Sequence, residues 1–435
     1  MWSSHVKIGT ELSIASIPAS QLAKEFGTPA FIMDEGDFRT RATAWNSALH
    51  AAFGEQAGNV YYAAKAFICV EVARWIKDLG IGIDVCTGGE LAVALKGGID
   101  PKKMEFHGNN KSVAEIERAV SAGVGTIVID SLWEIERVAT AAAAHGVVQK
   151  VLLRLTPGIE AHTHESIATA HEDVKFGFSI ASGSAWNAVQ GVRRYQSLEL
   201  RGFHAHIGSQ ILETESFQMS AERLIALLAR YRDEFASELP ELDLGGGYGI
   251  AYLPGETGLA PDTTLKALAA VVTAQCAAHK LALPKISIEP GRSIVGPTMF
   301  TLYEVGTTKD VTLDNGANRR YVSVDGGMSD NLRTSLYGAE YTAILANRTS
   351  SAPKISSRVV GKHCETGDIV IREIDLESDI APGDLLATPA TGAYGRSMAT
   401  NYNHVPRPPV IAVKDGKARV ILRRETEADL LGLDI

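Results

Sequence analysis

Between residues 58 and 291 the chain repeats one pattern, a short apolar run followed by a longer stretch with helical spacing. The apolar runs read as strands at 60–65 (VYYAAK), 82–86 (GIDVC), 104–107 (MEFH), 126–130 (TIVID), 151–155 (VLLRL), 202–206 (GFHAH), 242–246 (LDLGG) and 286–290 (ISIEP). Intervening segments such as VEVARWIKDLG, VAEIERAVSAG and ESFQMSAERLIALLARYRDEF place apolar residues three or four apart, as a helix with one buried face requires. Eight strands alternating with helices over about 230 residues match the count and span of a (β/α)8 TIM-type barrel. A doubly wound open sheet competes, but no glycine-rich turn follows the first strand. The fifth and sixth strands are separated by roughly residues 156–200, and long loops of this kind sit over a barrel's active site.

After residue 291 the pattern changes. Strand-like pieces now follow one another with turn signals between them: TLYEVGTTKDV, RYVSVDGG, DIVIREIDL, DLLATPA and PVIAVKDGKARVILRR. This texture predicts a mostly antiparallel β domain. TPAFIMDEG, ahead of the barrel, also reads as a strand and is expected to join it. The predicted division is an α/β barrel over 36–291 and a discontinuous β domain over 1–35 and 292–435. A length of 435 residues also suggests two domains rather than one core.

Composition narrows the function classes. The content is 45% hydrophobic and 21% charged, that of a soluble globular protein, and a net charge of −9 argues against a broad nucleic-acid or anionic-membrane surface. Binding of an anion must then come from local groups. The first twenty residues lack a cationic start with a continuous apolar run, so no signal peptide is expected, and no stretch reaches membrane-spanning length. Cys69, Cys86, Cys276 and Cys364 lie far apart, which suggests reduced thiols in a cytoplasmic protein.

In a barrel the chemistry belongs at the C-terminal ends of the strands. The residues there are Lys65, Asp84, His107, Asp130, Arg154, His206, Gly245 to Gly247 and Glu289. Lys65 ends the first strand among small or apolar neighbours, a setting that frees an amine to attack a carbonyl carbon, although a surface lysine reads equally well. Gly245, Gly246 and Gly247, followed by Gly291 and Arg292 after the next strand, suggest a phosphate cradle where barrels commonly have one. A lone glycine run would otherwise be a tight turn. His206 is placed to lie flat on a planar cofactor while Ser209 donates to its phosphate. Glu289 suits the base of a pyridine ring, where a carboxylate keeps the ring nitrogen protonated; a buried arginine's partner is the plainer reading. Cys364 and Glu365 in HCETGD could pair a proton donor with an amine-binding carboxylate, but spacing alone favours an inert cysteine. His162, His164 and His171 raise the question of a metal. No HExxH is present, H-x-H in a loop is a poor tetrahedral clamp, and no metal site is expected.

AAKAF, DVCTGGEL, HGNNKS, LRLTPG, KFGFS, HAHIGSQ, LDLGGGYG, EPGRS, DGGMSDNLR, LYGAEY, HCETGD and GAYGRSM occur in one order along nearly the whole chain. In that order the chain resembles the diaminopimelate decarboxylases, members of the alanine racemase-like (fold type III) class of enzymes that use pyridoxal 5'-phosphate (PLP). The resemblance implies Lys65 as the Schiff-base lysine, His206 stacked on the cofactor, and Glu289 as partner of the pyridine nitrogen. It implies Ser209, Gly245, Gly246, Gly247, Gly291 and Arg292 around the phosphate, with Tyr394 nearby. Arg292, Arg333, Tyr337, Glu365 and Tyr394 match substrate-contacting positions. Cys364 matches a proton donor contributed with Glu365 across a homodimer interface, which implies two shared sites. Thr334-Ser335 stands where a Pro-Ala pair is common, and Val174 precedes KFGF where a polar residue is frequent. The expected reaction is conversion of meso-2,6-diaminopimelate to L-lysine, the last step of lysine biosynthesis. A decarboxylase of ornithine, arginine or lysine is the alternative, and a distal carboxylate that needs a guanidinium separates the two. A racemase fits less well because that branch pairs the pyridine nitrogen with an arginine. A non-catalytic cofactor carrier would lack the β domain and HCETGD.

Overall fold

The computed structural model describes residues 1–159 and 174–435. They form two compact units, one of Arg41–Gly249 and Gly258–Ser293, the other of Met1–Thr40, Ile250–Thr257 and Ile294–Ile435.

In the first unit the eight expected strands are all present, as Ala57–Ala63, Gly82–Val85, Met104–Phe106, Thr126–Ile129, Gln149–Thr156, Leu198–His204, Glu241–Asp243 and Lys285–Ile288. Each pairs in parallel with the next. The eighth returns to the first, with Ile286 opposite Ala57 and Ile288 opposite Val60, so the barrel closes and no open sheet remains. Strand sequences such as Ile127-Val128-Ile129 are buried throughout, because the barrel interior lies on one face and helices on the other.

Several of the helices between these strands have well-defined ends. Val70–Leu79 buries Val72, Ala73, Trp75 and Ile76 and stops at Gly80 in the left-handed region. Val113–Ala122 opens with a reciprocal Ser112–Glu115 capping box and stops at Gly123 in the same way. Such caps satisfy the helix ends locally and fix where each strand-to-helix turn presents its side chains.

Most strands end one to three residues earlier than the sequence suggests, and two of these ends matter for the site. The first stops at Ala63, and Lys65 lies beyond it on the single turn Ala64–Ala66. The seventh stops at Asp243, because Gly245 has φ +70°, which no extended strand can contain.

The second unit is built on a sheet with the order Ile369–Glu377, Lys354–Val360, Asn318–Val324, Met299–Thr312, Ala30–Asp34, Val410–Lys414, Lys417–Leu422. Its pairings are antiparallel except Asn318–Val324 with Lys354–Val360 and Ala30–Asp34 with Val410–Lys414. The 14-residue strand Met299–Thr312 spans the unit, pairing at its start with Ala30–Asp34 and at its end with Asn318–Val324. One apolar cluster gathers Tyr303, Val322, Val359, Val370 and Ile371; another gathers Leu12, Ile32, Phe300, Leu302 and Ile411. Among the described residues no helix is long and apolar enough to cross a membrane.

Candidate active site

Lys65 follows the first strand with its side chain about one-third exposed, and its Nζ stands 3.8 Å from Asp84 Oδ2 on the second strand. Its setting is therefore not simply apolar. Burial pushes the Asp84 carboxyl up to about 8 even though Lys65 pulls it down.

Glu289 leaves the eighth strand fully buried, and its partners are histidines rather than an arginine. Oε1 is 2.9 Å from His204 Nε2 and 3.1 Å from His107 Nε2. Burial would raise its carboxyl, but His107, His204 and Lys65 outweigh that and hold it well below the usual range. Burial keeps His107 and His204 neutral. Their ring N–H groups can still serve the anion, so we take Glu289 as charged and both rings as neutral.

The glycine run turns directly beside these groups. Gly245 N–H donates to Asp243 Oδ1 at 2.6 Å, and Gly246 N–H donates to His206 Nδ1 at 3.2 Å. The second bond requires a lone pair on Nδ1. Burial, with Lys65 and Arg154 nearby, likewise drives the His206 imidazole neutral. Side chains on Gly245 and Gly247 would overlap the carbonyls of Ala205 and Gly208, so the sixth and seventh strand ends can approach only because these residues are glycine. Gly246 and Gly291 are equally crowded, against Glu289 and Ala63. Arg292, buried, donates to Ser209 Oγ at 2.8 Å, which brings a cation and a hydroxyl together. The barrel unit thus unites Lys65, His206, Ser209, Gly245 to Gly247, Glu289, Gly291 and Arg292. Its other opening, a cavity of about 480 Å³ lined by Tyr61, Lys102, Glu241 and Lys285, holds none of this set.

The remaining residues belong to the β unit. Arg333 begins the single helical turn Arg333–Tyr337, buried, with NH1 donating to the Tyr341 hydroxyl. Its guanidinium lies over the rings of Tyr252 and Tyr341, at 4.8 and 5.6 Å from their centroids. Burial works against its charge, but Tyr341, Tyr252 and Tyr394 outweigh burial and hold it cationic. Among the described residues it meets no carboxylate. The unusual Thr334-Ser335 pair has a visible role. Thr334 Oγ1 donates to Val370 O at 3.0 Å and Ser335 Oγ to Gly367 O at 2.7 Å, tying the Arg333 turn to the HCETGD segment. Cys364 and Glu365 are exposed on that segment. Tyr337 is half-buried, and Tyr394 is held at φ +61°, a strained conformation for a tyrosine.

Comparison with known proteins now bears on this set. The family described as "Pyridoxal-dependent decarboxylase, pyridoxal binding domain" matches residues 35–296. Diaminopimelate decarboxylase of Mycobacterium tuberculosis is 54% identical over 97% of this chain and 94% of its own length. The chain belongs to the diaminopimelate decarboxylase family. The M. jannaschii member of that family, solved in complex with L-lysine, superposes with a TM-score of 0.92 at 29% identity, over 100% of this chain and 99% of that one. A lysine/ornithine decarboxylase of Vibrio vulnificus, at 21% identity and a TM-score of 0.74 over 91% of this chain and 97% of that one, shares the fold alone.

Diaminopimelate decarboxylases use PLP, and the barrel residues fit it. A neutral imidazole fixed by the glycine loop offers a flat face, Arg292 and Ser209 offer a cation and a hydroxyl for a phosphate, and a buried carboxylate stands ready for a ring nitrogen.

Three features escaped the reading of the sequence. His204 sits two residues before His206, a spacing that puts both on one face of a strand, yet only the second stood out. Glu105 and Asp243, both buried, looked like ordinary polar residues within short strands. Asp368 accepts from Met328 N–H at 2.6 Å and His363 N–H at 2.7 Å, joining DGGMSDNLR to HCETGD, and nothing local in the sequence announced that contact. His162, His164 and His171 lie outside the described residues.

Proposed function

We propose that the protein decarboxylates meso-2,6-diaminopimelate to L-lysine, with PLP carried on Lys65. The observation that carries the substrate reading is Arg333, a buried guanidinium stacked on tyrosines that meets no carboxylate among the described residues. A desolvated cation needs an anionic partner, and diaminopimelate differs from lysine and ornithine in bringing a second carboxylate. When bound, PLP supplies a carbonyl for the substrate amine and a ring that accepts the electron pair left as carbon dioxide departs.

The chain's own residues complete the chemistry. Lys65 holds the cofactor and exchanges with the substrate amine. Glu289 keeps a proton on the ring nitrogen, and neutral His206 presses on the ring face. Ser209, Gly245, Gly246, Gly247, Gly291, Arg292 and Tyr394 hold the phosphate. Arg333, with Tyr337, Arg292 and Tyr394, takes the distal carboxylate, while Glu365 reads the distal amine. Cys364 returns a proton to the carbon that lost carbon dioxide.

We also assign the protein to a homodimer with two shared sites, in which Cys364 and Glu365 serve the partner subunit's barrel. Their exposure on a tethered turn supports this role. A reducing, cytoplasmic location follows for a protein that relies on an exposed thiol.

Incubation with meso-diaminopimelate and PLP should yield lysine. Release of carbon dioxide from ornithine or lysine, without turnover of diaminopimelate, would overturn the substrate. For shared sites, Cys364→Ala mixed with Lys65→Ala should recover part of the activity, since one hybrid site keeps both native residues. Verified hybrids that stay inactive would refute sharing.

A further inference from the structure

Barrel interiors are normally filled by branched aliphatic side chains. Here two carboxylates take such places. Glu105 comes from the third strand and Asp243 from the seventh, and both are buried. Strands so far apart around the barrel bring side chains together only in its interior. One oxygen each of Glu105, Asp243 and Glu289 lies within 4.8 Å of the others. Asp243 uses Oδ1 to accept the Gly245 N–H, while its Oδ2 and Glu105 Oε2 are buried without a hydrogen-bond partner.

Three full charges cannot share so small a volume away from water. The neighbours do not relieve them. Glu241 adds negative charge, Tyr61 is kept neutral by burial, and His107, also neutral, stands 3.4 Å from Glu105 and 3.1 Å from Glu289. Glu289 has two imidazoles on hand, His204 at 2.9 Å and His107 at 3.1 Å, whereas Glu105 shares His107 at the longer distance of 3.4 Å.

We propose that Glu105 and Asp243 hold a single proton between them at neutral pH, as a positioning pair that leaves Glu289 the charged carboxylate facing the cofactor ring. The hydroxyl that the proton creates supplies the donor both orphaned oxygens lack. Burial raises both carboxyls well above the ordinary range, in keeping with that assignment. Through Asp243 the pair is also fastened to Gly245, so the phosphate loop and the charge beneath the ring share one anchor. This inference rests on the proposed role of Glu289, but the proton itself belongs to the apoprotein.

Infrared spectroscopy of the apoprotein tests it directly, because a protonated carboxyl absorbs apart from carboxylates and amides. Asp84, pushed up to about 8, and Asp330, pushed up to about 7, also hold protons near neutral pH, so the pair's band is read as the difference between wild type and variant at neutral pH, and it should fade only under alkaline conditions. Glu105→Gln and Asp243→Asn should each abolish the same band, since one acid remains in either variant and takes the amide as its donor. Absence of the band from wild-type protein at neutral pH overturns the proposal, whether or not the variants fold. So does a protonated-carboxyl absorption that is undiminished in both single variants. If the band behaves as expected but Glu289→Gln turns over normally, the shared proton stands and the proposed role of Glu289 fails.

Discussion

In the barrel unit Lys65, His206 and Glu289 each follow the end of a parallel strand, and their neighbours come from other strands of the same barrel. In the β unit Arg333, Cys364 and Tyr394 sit on turns and a single helical turn, held by hydroxyls and carboxylates from distant segments. The first arrangement repeats one geometry around a closed ring, so position along a strand nearly dictates where a side chain points. The second depends on long-range contacts such as Ser335 to Gly367 and Met328 to Asp368. A barrel supports the chemistry common to many substrates, and irregular segments can change to suit one of them.

The sharpest way to break this contrast is Lys65→Ala. Turnover should fall by roughly ten-thousandfold or more, and the visible absorbance of the lysine-bound cofactor should vanish. Retention of both would show that the barrel rim does not carry the cofactor.

Glu289→Gln should come next, slowing kcat by on the order of a hundred- to a thousandfold while PLP still binds, as read by cofactor titration. The amide cannot hold the ring proton, but it leaves Arg292 and the glycine loop in place. Turnover like that of the wild type would remove Glu289 from the chemistry.

Arg333→Met probes the other unit. Loss of one charged, desolvated partner costs about 2–5 kcal/mol, so kcat/KM for diaminopimelate should drop about a hundredfold or more. Weak turnover of lysine or ornithine, which lack the distal carboxylate, should hardly change. An equal fall for all three substrates would make Arg333 a support for the fold or cofactor and blur the division of labour.

The smallest effect concerns a purely structural charge in the β unit. Burial would raise the Glu35 carboxyl, but Arg419, Arg39 and Lys414 outweigh it and hold the pKa below 4.5. A folded-state pKa depressed below the unfolded one adds stability that is present above about pH 4.5 and is lost as pH falls through the folded value. Glu35→Gln should therefore lower Tm by ~2 °C at neutral pH, from about 1 kcal/mol, because its partners are part-exposed. The difference should close in acid. A Tm gap independent of pH would mean that shape rather than charge is lost.

Much of the barrel was legible because its signals are local. Apolar runs of strand length, capping boxes such as Ser112–Glu115 and terminal glycines recur in register, and all eight strands fell where the pattern put them. Less of the β unit was legible. Lys354–Val360 escaped notice because Ser356 and Ser357 interrupt its apolar character, and Ser357 is buried only by bonding to Ile355 O at 2.9 Å. The seventh strand stopped short at Gly245, whose φ of +70° goes with its close approach to the Ala205 carbonyl of the neighbouring strand end.

Taken alone, the sequence determined the fold class, the succession of elements and, through motifs in a fixed order, the family and its cofactor. The fold class and elements follow from periodicity and residue type, which are properties of short windows, and the family and cofactor from the resemblance that the ordered motifs carry. Only the tertiary structure decided which charges meet. It set His204 and His107 against Glu289, placed Glu105 across the barrel from Asp243, and stacked Arg333 on Tyr252. The energy of a buried charge depends on its distance to partners far along the chain and on the exclusion of water, and neither quantity exists until the chain has closed on itself.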